Sequence, residues 1–393
     1  MNLAKKMLVD INSCFATIEQ QANPLLRGKE VVVAAYEGQG GCVLAASREA
    51  KKLGIKTGWR LDDAKKICPN LVVLTPDTEK YRFINRKLRK ILLSFCPKVQ
   101  TKSIDEFFLD FEGINGNMID VGLKIKKEIK DKLGEWMTVS IGIGPNLFLA
   151  KIASNLKKPD GLVEINESNF WEIYGKLKLT DLYGINSKTA YKLELNGIKT
   201  PQDFYQKSRQ ELRNVFHSIC GDYWYFRLRG IEIDDKERPV KKSFSAIFTL
   251  KDPVKNRIEL ATVLFQLCLK VGKRCNRQKM GARAAAWWAG GENINISGKL
   301  HNKEEMINGW EIFKEIYSEI PEFKDKIKKV VVVIYDLQKK VWQENIFEEK
   351  EKFRQRSEIA EKINNKYGMG TIFPGTVLAS KKIPDFIGFG NIE

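Results

Sequence analysis

Histidine is almost missing from this chain. Its 393 residues hold two, His217 and His301, so chemistry built on histidine ligands or a histidine base has little material. The seven cysteines run from Cys14 to Cys275 without one Cys-x-x-Cys pair, and their number is odd. That pattern argues against a zinc site or a disulfide framework and fits reduced, buried thiols. No apolar run reaches the ~18–20 residues a membrane helix needs, and Met1–Lys6 has no hydrophobic signal region behind it. No membrane contact is expected, and the location expected is cytoplasmic.

What the chain has is length and positive charge. This length exceeds what one small core organises and predicts two to four domains. Hydrophobic residues make up 43% and charged residues 30%, the balance of an ordinary globular protein. The net charge of +18 favours a polyanion as partner, through steering and counterion release, with a lipid surface or plain solubility as alternatives. Residues 270–283 carry Lys270, Lys273, Arg274, Arg277, Lys279 and Arg283 without an acid, and 80–90 carry six bases without an acid. A solvated helix face alternates its signs instead, so both runs read as surfaces that track a nucleic-acid backbone.

Against this basic background three acids stand out. Asp10 closes the apolar run Met7-Leu8-Val9, and Asp105-Glu106 lie between the strand-like runs Val99–Ser103 and Phe107–Phe111. An unpaired carboxylate at the end of a buried strand is costly unless a cation meets it. Three converging carboxylates make a hard-oxygen site suited to Mg²⁺. Two such ions ~3.5–4 Å apart stabilise the attacking and leaving oxygens of a phosphoryl displacement. A strand-end cap at Asp10 and an exposed turn at Asp105-Glu106 would need no metal, and the acids alone leave both readings open.

Periodicity predicts strands at 6–10, 30–36, 42–46, 99–103, 107–111 and 137–142, with helices at 14–22, 47–53, 60–67, 78–96 and 118–133. Mixed elements in this split order describe an α+β architecture. Leu179–Phe204 reads as two short helices around a tight hairpin whose backbone N–H groups suit a phosphate. Ile231–Lys242 is dense in charge and poor in apolar residues, a linker. Beyond it the pattern is β-α-β-α-β, with strands at 243–250, 281–289 and 329–335 and helices at 257–277 and 303–320. Trp287-Trp288 reads as one buried and one half-buried strand position. A charged helix is expected over 353–367.

Leu8-Val9-Asp10-Ile11-Asn12-Ser13-Cys14-Phe15-Ala16, followed by Ser103-Ile104-Asp105-Glu106-Phe107-Phe108-Leu109-Asp110, resembles the two catalytic motifs of the Y-family (translesion) DNA polymerases. Within that family the DNA polymerase IV (DinB-like) branch is the most similar. A third match runs through Ser140-Ile141-Gly142-Ile143-Gly144 and Leu149–Ser154 to Lys157-Lys158-Pro159-Asp160-Gly161. The resemblance covers residues 6 to about 347.

The resemblance implies an α+β multidomain right hand: palm at 1–10 and 76–165, small fingers at 11–75, helical thumb with a helix-hairpin-helix at 166–230, linker at 231–242, little-finger sheet domain at 243–340, and a tail at 341–393. It implies that Asp10, Asp105, Glu106 and the Ile11 carbonyl bind two Mg²⁺ ions and that Phe15 is the steric gate against ribonucleotides. The dNTP triphosphate falls to Arg48 and Lys51, where the family commonly has Tyr and Arg, and to Lys158 (or, one residue away, Lys157). Asn12 replaces a frequent second aspartate, and Asn186 a frequent hairpin glycine, taken as a residue tolerant of left-handed backbone. Small Ala45 and Ala46 leave an open pocket over the templating base. Gly184, Ile185 and Lys188 of the hairpin, with Lys273, Arg274, Arg277 and Arg283, are implied to hold DNA. Gln343, Ile346 and Phe347 resemble a short motif that docks on the bacterial sliding clamp.

The expected protein is thus a monomeric, template-directed DNA polymerase of the translesion type, of low fidelity and without a proofreading exonuclease. Its expected partners are primer–template DNA, dNTPs and the clamp. The alternative is a weakly active or inactive DNA-binding recruitment module at stalled forks, against which the complete acid set argues. Another two-metal palm enzyme, such as a nucleotide cyclase, has no use for the DNA grip of residues 166–347.

Overall fold

The computed structural model describes residues 4–36, 41–234, 241–306, 308–339, 348–367 and 371–373. They form two compact units, one up to residue 234 and one from residue 241 onward.

The first unit begins with β1 (Lys6–Ile11), α1 (Cys14–Ala22), β2 (Val31–Ala34), β3 (Val43–Ala46), α2 (Arg48–Lys52), α3 (Leu61–Ile67) and β4 (Val72–Leu74). It continues with α4 (Thr78–Leu93), β5 (Val99–Thr101), β6 (Glu106–Asp110), α5 (Met118–Leu133), β7 (Val139–Gly144), α6 (Leu147–Leu156) and β8 (Leu162–Glu164). A five-stranded sheet has the order β5-β6-β1-β7-β8, and a small sheet has the order β3-β2-β4. In the large sheet β1 runs antiparallel to both neighbours, β6 and β7.

Strand periodicity decides which face does what. Met7, Val9 and Ile11, with Phe107 and Leu109, are buried under Tyr81, Leu88 and Ile91 of α4 and Ile125 and Ile129 of α5. Leu8 and Phe108 point the other way and pack on Ala150 of α6. Because side chains alternate, Asp10 and Glu106 fall on that second face. The close seat of α6 depends on glycine: a Cβ on Gly142 would lie 2.0 Å from the Ala150 carbonyl oxygen, and one on Gly144 2.8 Å from the Ala150 nitrogen.

The unit ends in helices: α7 (Phe170–Lys176), α8 (Ser187–Leu195), α9 (Pro201–Gln206), α10 (Arg209–Phe216) and α11 (Cys220–Leu228). Their core holds Phe204, Leu212 and Trp224 together with Phe148 and Ile152 of α6, so α6 is packed on both sides. The first residues of the expected linker are firmly held. Glu232 accepts a hydrogen bond from Leu147 N at 2.7 Å, Asn146 donates to the Ile231 carbonyl at 3.1 Å, and Arg227 pairs with Asp234 at 2.8 Å.

The second unit comprises β9 (Ser243–Val254), α12 (Arg257–Arg277), β10 (Met280–Gly290), β11 (Asn295–Met306), α13 (Gly309–Ser318), β12 (Ile327–Lys339) and α14 (Glu348–Tyr367). Its antiparallel sheet has the order β11-β10-β12-β9. The sequence pattern missed β11, so the observed order is β-α-β-β-α-β. The reason is local. β11 is an edge strand, exposed at every second residue over 295–301, and Gly298, one of its inward positions, lies opposite Trp287. A Cβ there would stand 2.3 Å from the indole nitrogen, so the tryptophan supplies the bulk that a strand pattern would seek in β11 itself. Trp287 is buried and Trp288 half-buried, as expected for core aromatics. The last helix starts five residues before its expected position and docks through a polar seam, with Asn308 donating to Ser357 at 2.9 Å. Among the described residues no helix is long and apolar enough to cross a membrane.

Candidate active site

The register of β1 on β6 places Asp10 directly opposite Glu106. Asp105 joins them from the turn before β6, which is fixed from three sides. Ile11 N donates to the Asp105 carbonyl at 2.9 Å, the Asn85 amide of α4 donates to the Ile104 carbonyl at 2.8 Å, and the Ser103 hydroxyl binds the Asp105 carboxylate. Burial, and then the charges of Asp10 and Glu106, push the Asp105 carboxyl above the usual aspartate range against the pull of Ser103.

Two lysines meet these acids. Lys151 Nζ is 2.8 Å from Asp10 Oδ2 and 2.7 Å from Glu106 Oε1. Lys158 Nζ is 2.9 Å from Asp10 Oδ1. Burial alone would make the Lys151 ammonium easier to deprotonate, but Asp10 and then Glu106 outweigh it and hold the proton more tightly than in an ordinary lysine. Among the described residues no three acidic, histidine or cysteine side chains stand so as to share one ion. The lysines and Ser103 occupy the oxygens that an ion would take. The donor chemistry nevertheless fits a divalent cation: hard oxygens from adjacent strands, with burial and then the charges of Asp10 and Glu106 outweighing the Ser103 hydrogen bond at Asp105.

The remaining expected residues surround this point. Phe15 is buried and stacks on Tyr81, with centroids 4.4 Å apart and planes within 10°. The Tyr81 hydroxyl donates to Glu19 at 2.9 Å, and Lys80 pairs with the same carboxylate. Arg48 and Lys51 project from α2. Arg48 donates to the Thr138 hydroxyl, and Lys51 to the Ser13 hydroxyl at 2.8 Å. Burial, and then the nearby charges of Lys158 and Arg48, hold the Lys51 ammonium below the usual lysine range, so these three cations feel one another. Of the adjacent lysines 157 and 158, it is Lys158 whose ammonium reaches Asp10.

Farther away, Gly184 has φ +97° in the turn before α8, Ile185 is buried, and Lys188 is exposed on the first turn. Asn186 corrects an expectation. It is extended (φ −90°), not left-handed, and caps α8 by accepting from Thr189 N at 2.8 Å. In the second unit the run from 270 to 283 is not one patch. Lys273 and Arg274 are half-buried on α12, and Arg274 donates to the Ser245 carbonyl. Arg277 is exposed at the end of the helix, and Arg283 is exposed on β10. Gln343, Ile346 and Phe347 lie outside the described residues.

Sequence reasoning gave no role to Lys151, Asn85, Tyr81 or Glu19. Lys151 carried a usable signal, being the only charge in the otherwise apolar and small helix Leu147–Leu156.

The impB/mucB/samB family model matches residues 9–155. The DNA polymerase IV of Methanosarcina acetivorans is 31% identical over 363 residues, covering 86% of this chain and 98% of that protein. The DNA polymerase IV of Oceanobacillus iheyensis is 29% identical over 342 residues, covering 86% and 77%. Among solved structures, a chimera of the Y-family polymerases Dbh and Dpo4 superposes with a TM-score of 0.71 at 24% identity, over 84% of this chain and 98% of that one, a likeness of fold. The chain belongs to the Y-family of DNA polymerases, among the DNA polymerase IV proteins.

Proposed function

We propose that this chain extends a primer at the Asp10–Asp105–Glu106 cluster. It is a DNA-directed DNA polymerase of the translesion type and a metal-dependent enzyme. The observation that carries the assignment of the site is the register: two acids oppose each other at the ends of paired strands, where like charges destabilise a sheet and persist for a reason other than stability. Asp10, Asp105, Glu106 and the Ile11 carbonyl would hold two Mg²⁺ ions, which would supply activation of the primer 3′-hydroxyl and neutralisation of the leaving pyrophosphate. Arg48, Lys51 and Lys158 hold the triphosphate. Lys151 keeps Asp10 and Glu106 aligned. Phe15, braced by Tyr81, leaves no space or partner for a 2′-hydroxyl.

In this reading residues 1–10 and 76–165 are the palm, 11–75 the fingers, 166–230 the thumb and 243–340 the little finger. Gly184, Lys188, Arg277 and Arg283 touch the DNA backbone, while Ile185, buried and with its N–H given to the Leu182 carbonyl, holds the hairpin turn. Gln343, Ile346 and Phe347 tether the enzyme to a sliding clamp and raise its local concentration on DNA. Primer extension with single dNTPs, on intact and damaged templates, with Mg²⁺ or EDTA, tests the core of this reading. Wild type should extend only with metal, and Asp105→Asn should lose about three orders of magnitude or more of extension while still binding DNA. Equal extension by both proteins would remove the reaction from this site.

A further inference from the structure

Asn12 lies in the turn between β1 and α1, 4% exposed, and nearly all its hydrogen-bonding capacity is used. Its backbone N–H donates to the Thr138 carbonyl at 3.0 Å, and its carbonyl accepts from the Thr17 hydroxyl at 2.6 Å. Its side-chain Nδ2 donates to Ser140 Oγ at 2.8 Å. Its Oδ1 accepts twice, from Asp160 N at 2.8 Å and from Thr138 Oγ1 at 3.2 Å. Each of those two donors leads to a cation. Thr138 Oγ1 itself accepts from the Arg48 guanidinium, and Asp160 lies two residues beyond Lys158.

Arg48 and Lys158 stand on elements that share no strand or helix: α2, and the segment after α6. One buried amide therefore links the two carriers of positive charge. Such an atom transmits position well, because moving either partner leaves a buried acceptor under-satisfied. Its neutrality matters as much as its shape. A carboxylate in the same place would set a negative charge among Arg48, Lys51 and Lys158 and draw them away from an incoming phosphate.

We infer that Asn12 is a positioning residue for the nucleotide triphosphate, fixing Arg48 relative to Lys158 while leaving their charge free for the ligand. The inference rests on the triphosphate reading above and adds to it a residue outside the cation set.

The test uses the full chain carrying Asn12→Asp, which preserves shape and adds charge, and Thr138→Val, which removes the Arg48 link and preserves branching. Single-nucleotide insertion should show KM for dNTP raised about tenfold in Asn12→Asp and a few-fold in Thr138→Val, with kcat nearly unchanged. A fluorescent dNTP titrated in EDTA should weaken in the same order, without any turnover. Raising the salt should narrow the gap between Asn12→Asp and wild type, because that gap is charge, and leave the Thr138→Val gap in place. Unchanged KM and unchanged binding in both variants would overturn the inference. So would a joint fall of kcat and melting temperature without a rise in KM, which marks a merely structural residue. A wild type that binds dNTP in EDTA but extends no primer would sink the polymerase site and leave the Asn12 comparison readable in the titration.

Discussion

The paired strands β1 and β6 end very differently on the same face of the same sheet. At one end Lys6 stands opposite Asp110, 2.7 Å apart and both buried. Hydrogen bonds to Asp110 and Glu112 raise the Lys6 ammonium despite burial, and Lys6 together with Glu112 N lowers the Asp110 carboxyl despite its own. At the other end Asp10 stands opposite Glu106, acid against acid, with Asp105 alongside. Between them Leu8 and Phe108 make an ordinary apolar pair. One end is closed by its own register. The other needs cations from elsewhere and receives Lys151 and Lys158. The Lys6–Asp110 end meets its opposite charge across the strand pair, whereas the acid-on-acid end is left for an outside partner, as its proposed role in catalysis requires.

The sharpest way to break this comparison is Asp105→Asn. Primer extension should fall by about three orders of magnitude or more, the scale of losing a group that stabilises transition-state charge. In EDTA the same variant should melt at a higher temperature, since it removes a carboxylate that burial, and then the charges of Asp10 and Glu106, disfavour. The sign follows from the raised carboxyl. Protonation is favoured by folding, so stability falls as pH rises through the window above 3.8, and the melting gap between variant and wild type should close as pH falls through it. Calorimetry across pH 4–7 in EDTA (a range set by ordinary carboxylate titration) checks it, and a gap independent of pH would show that Asp105 carries no such penalty.

Lys6→Met addresses the opposite end. Asp110 would then keep only Lys98 at 3.6 Å and the Glu112 N–H, so the variant should lose about 1–3 kcal/mol in urea unfolding, and Lys6→Met with Asp110→Leu should recover most of it. Nucleotide insertion by the folded fraction should keep its kcat. The Asp110 contribution is present above 3.8 and is lost only as pH falls through the lowered value, the reverse of Asp105.

Phe15→Leu should raise the ratio of rNTP to dNTP insertion by about 10–100-fold, because it removes the ring that the proposed function sets against the 2′-hydroxyl. An unchanged ratio would make Phe15 a core residue only. The smallest effect belongs to the second unit. Arg277→Ala and Arg283→Ala should each lower the slope of log K against log salt for DNA binding by about one, whereas Arg274→Ala, already tied to the Ser245 carbonyl, should lower it less. Equal slopes in all three would place these residues away from the phosphates.

Much of this was legible in the chain. Strand periodicity placed Asp10 and Asp105-Glu106 at strand ends, and their flanking residues carried the family likeness that the relatives bear out. Local rules also found most helices, because each buries an apolar stripe readable at its own spacing. They missed β11, whose inward position is emptied for a tryptophan on the next strand, and misjudged Asn186, which serves a helix cap.

By itself the sequence determined the acids, their strands and the basic excess, since periodicity and charge are properties of neighbours along the chain. Only the tertiary structure decided which cations meet those acids. Lys151 reaches Asp10 and Glu106 because Gly142 and Gly144 let α6 settle on the sheet, and Asn12 joins Arg48 to the Lys158 segment across residues more than a hundred positions apart. Those contacts depend on how closely two backbones approach, and no spacing along one strand or helix encodes that distance.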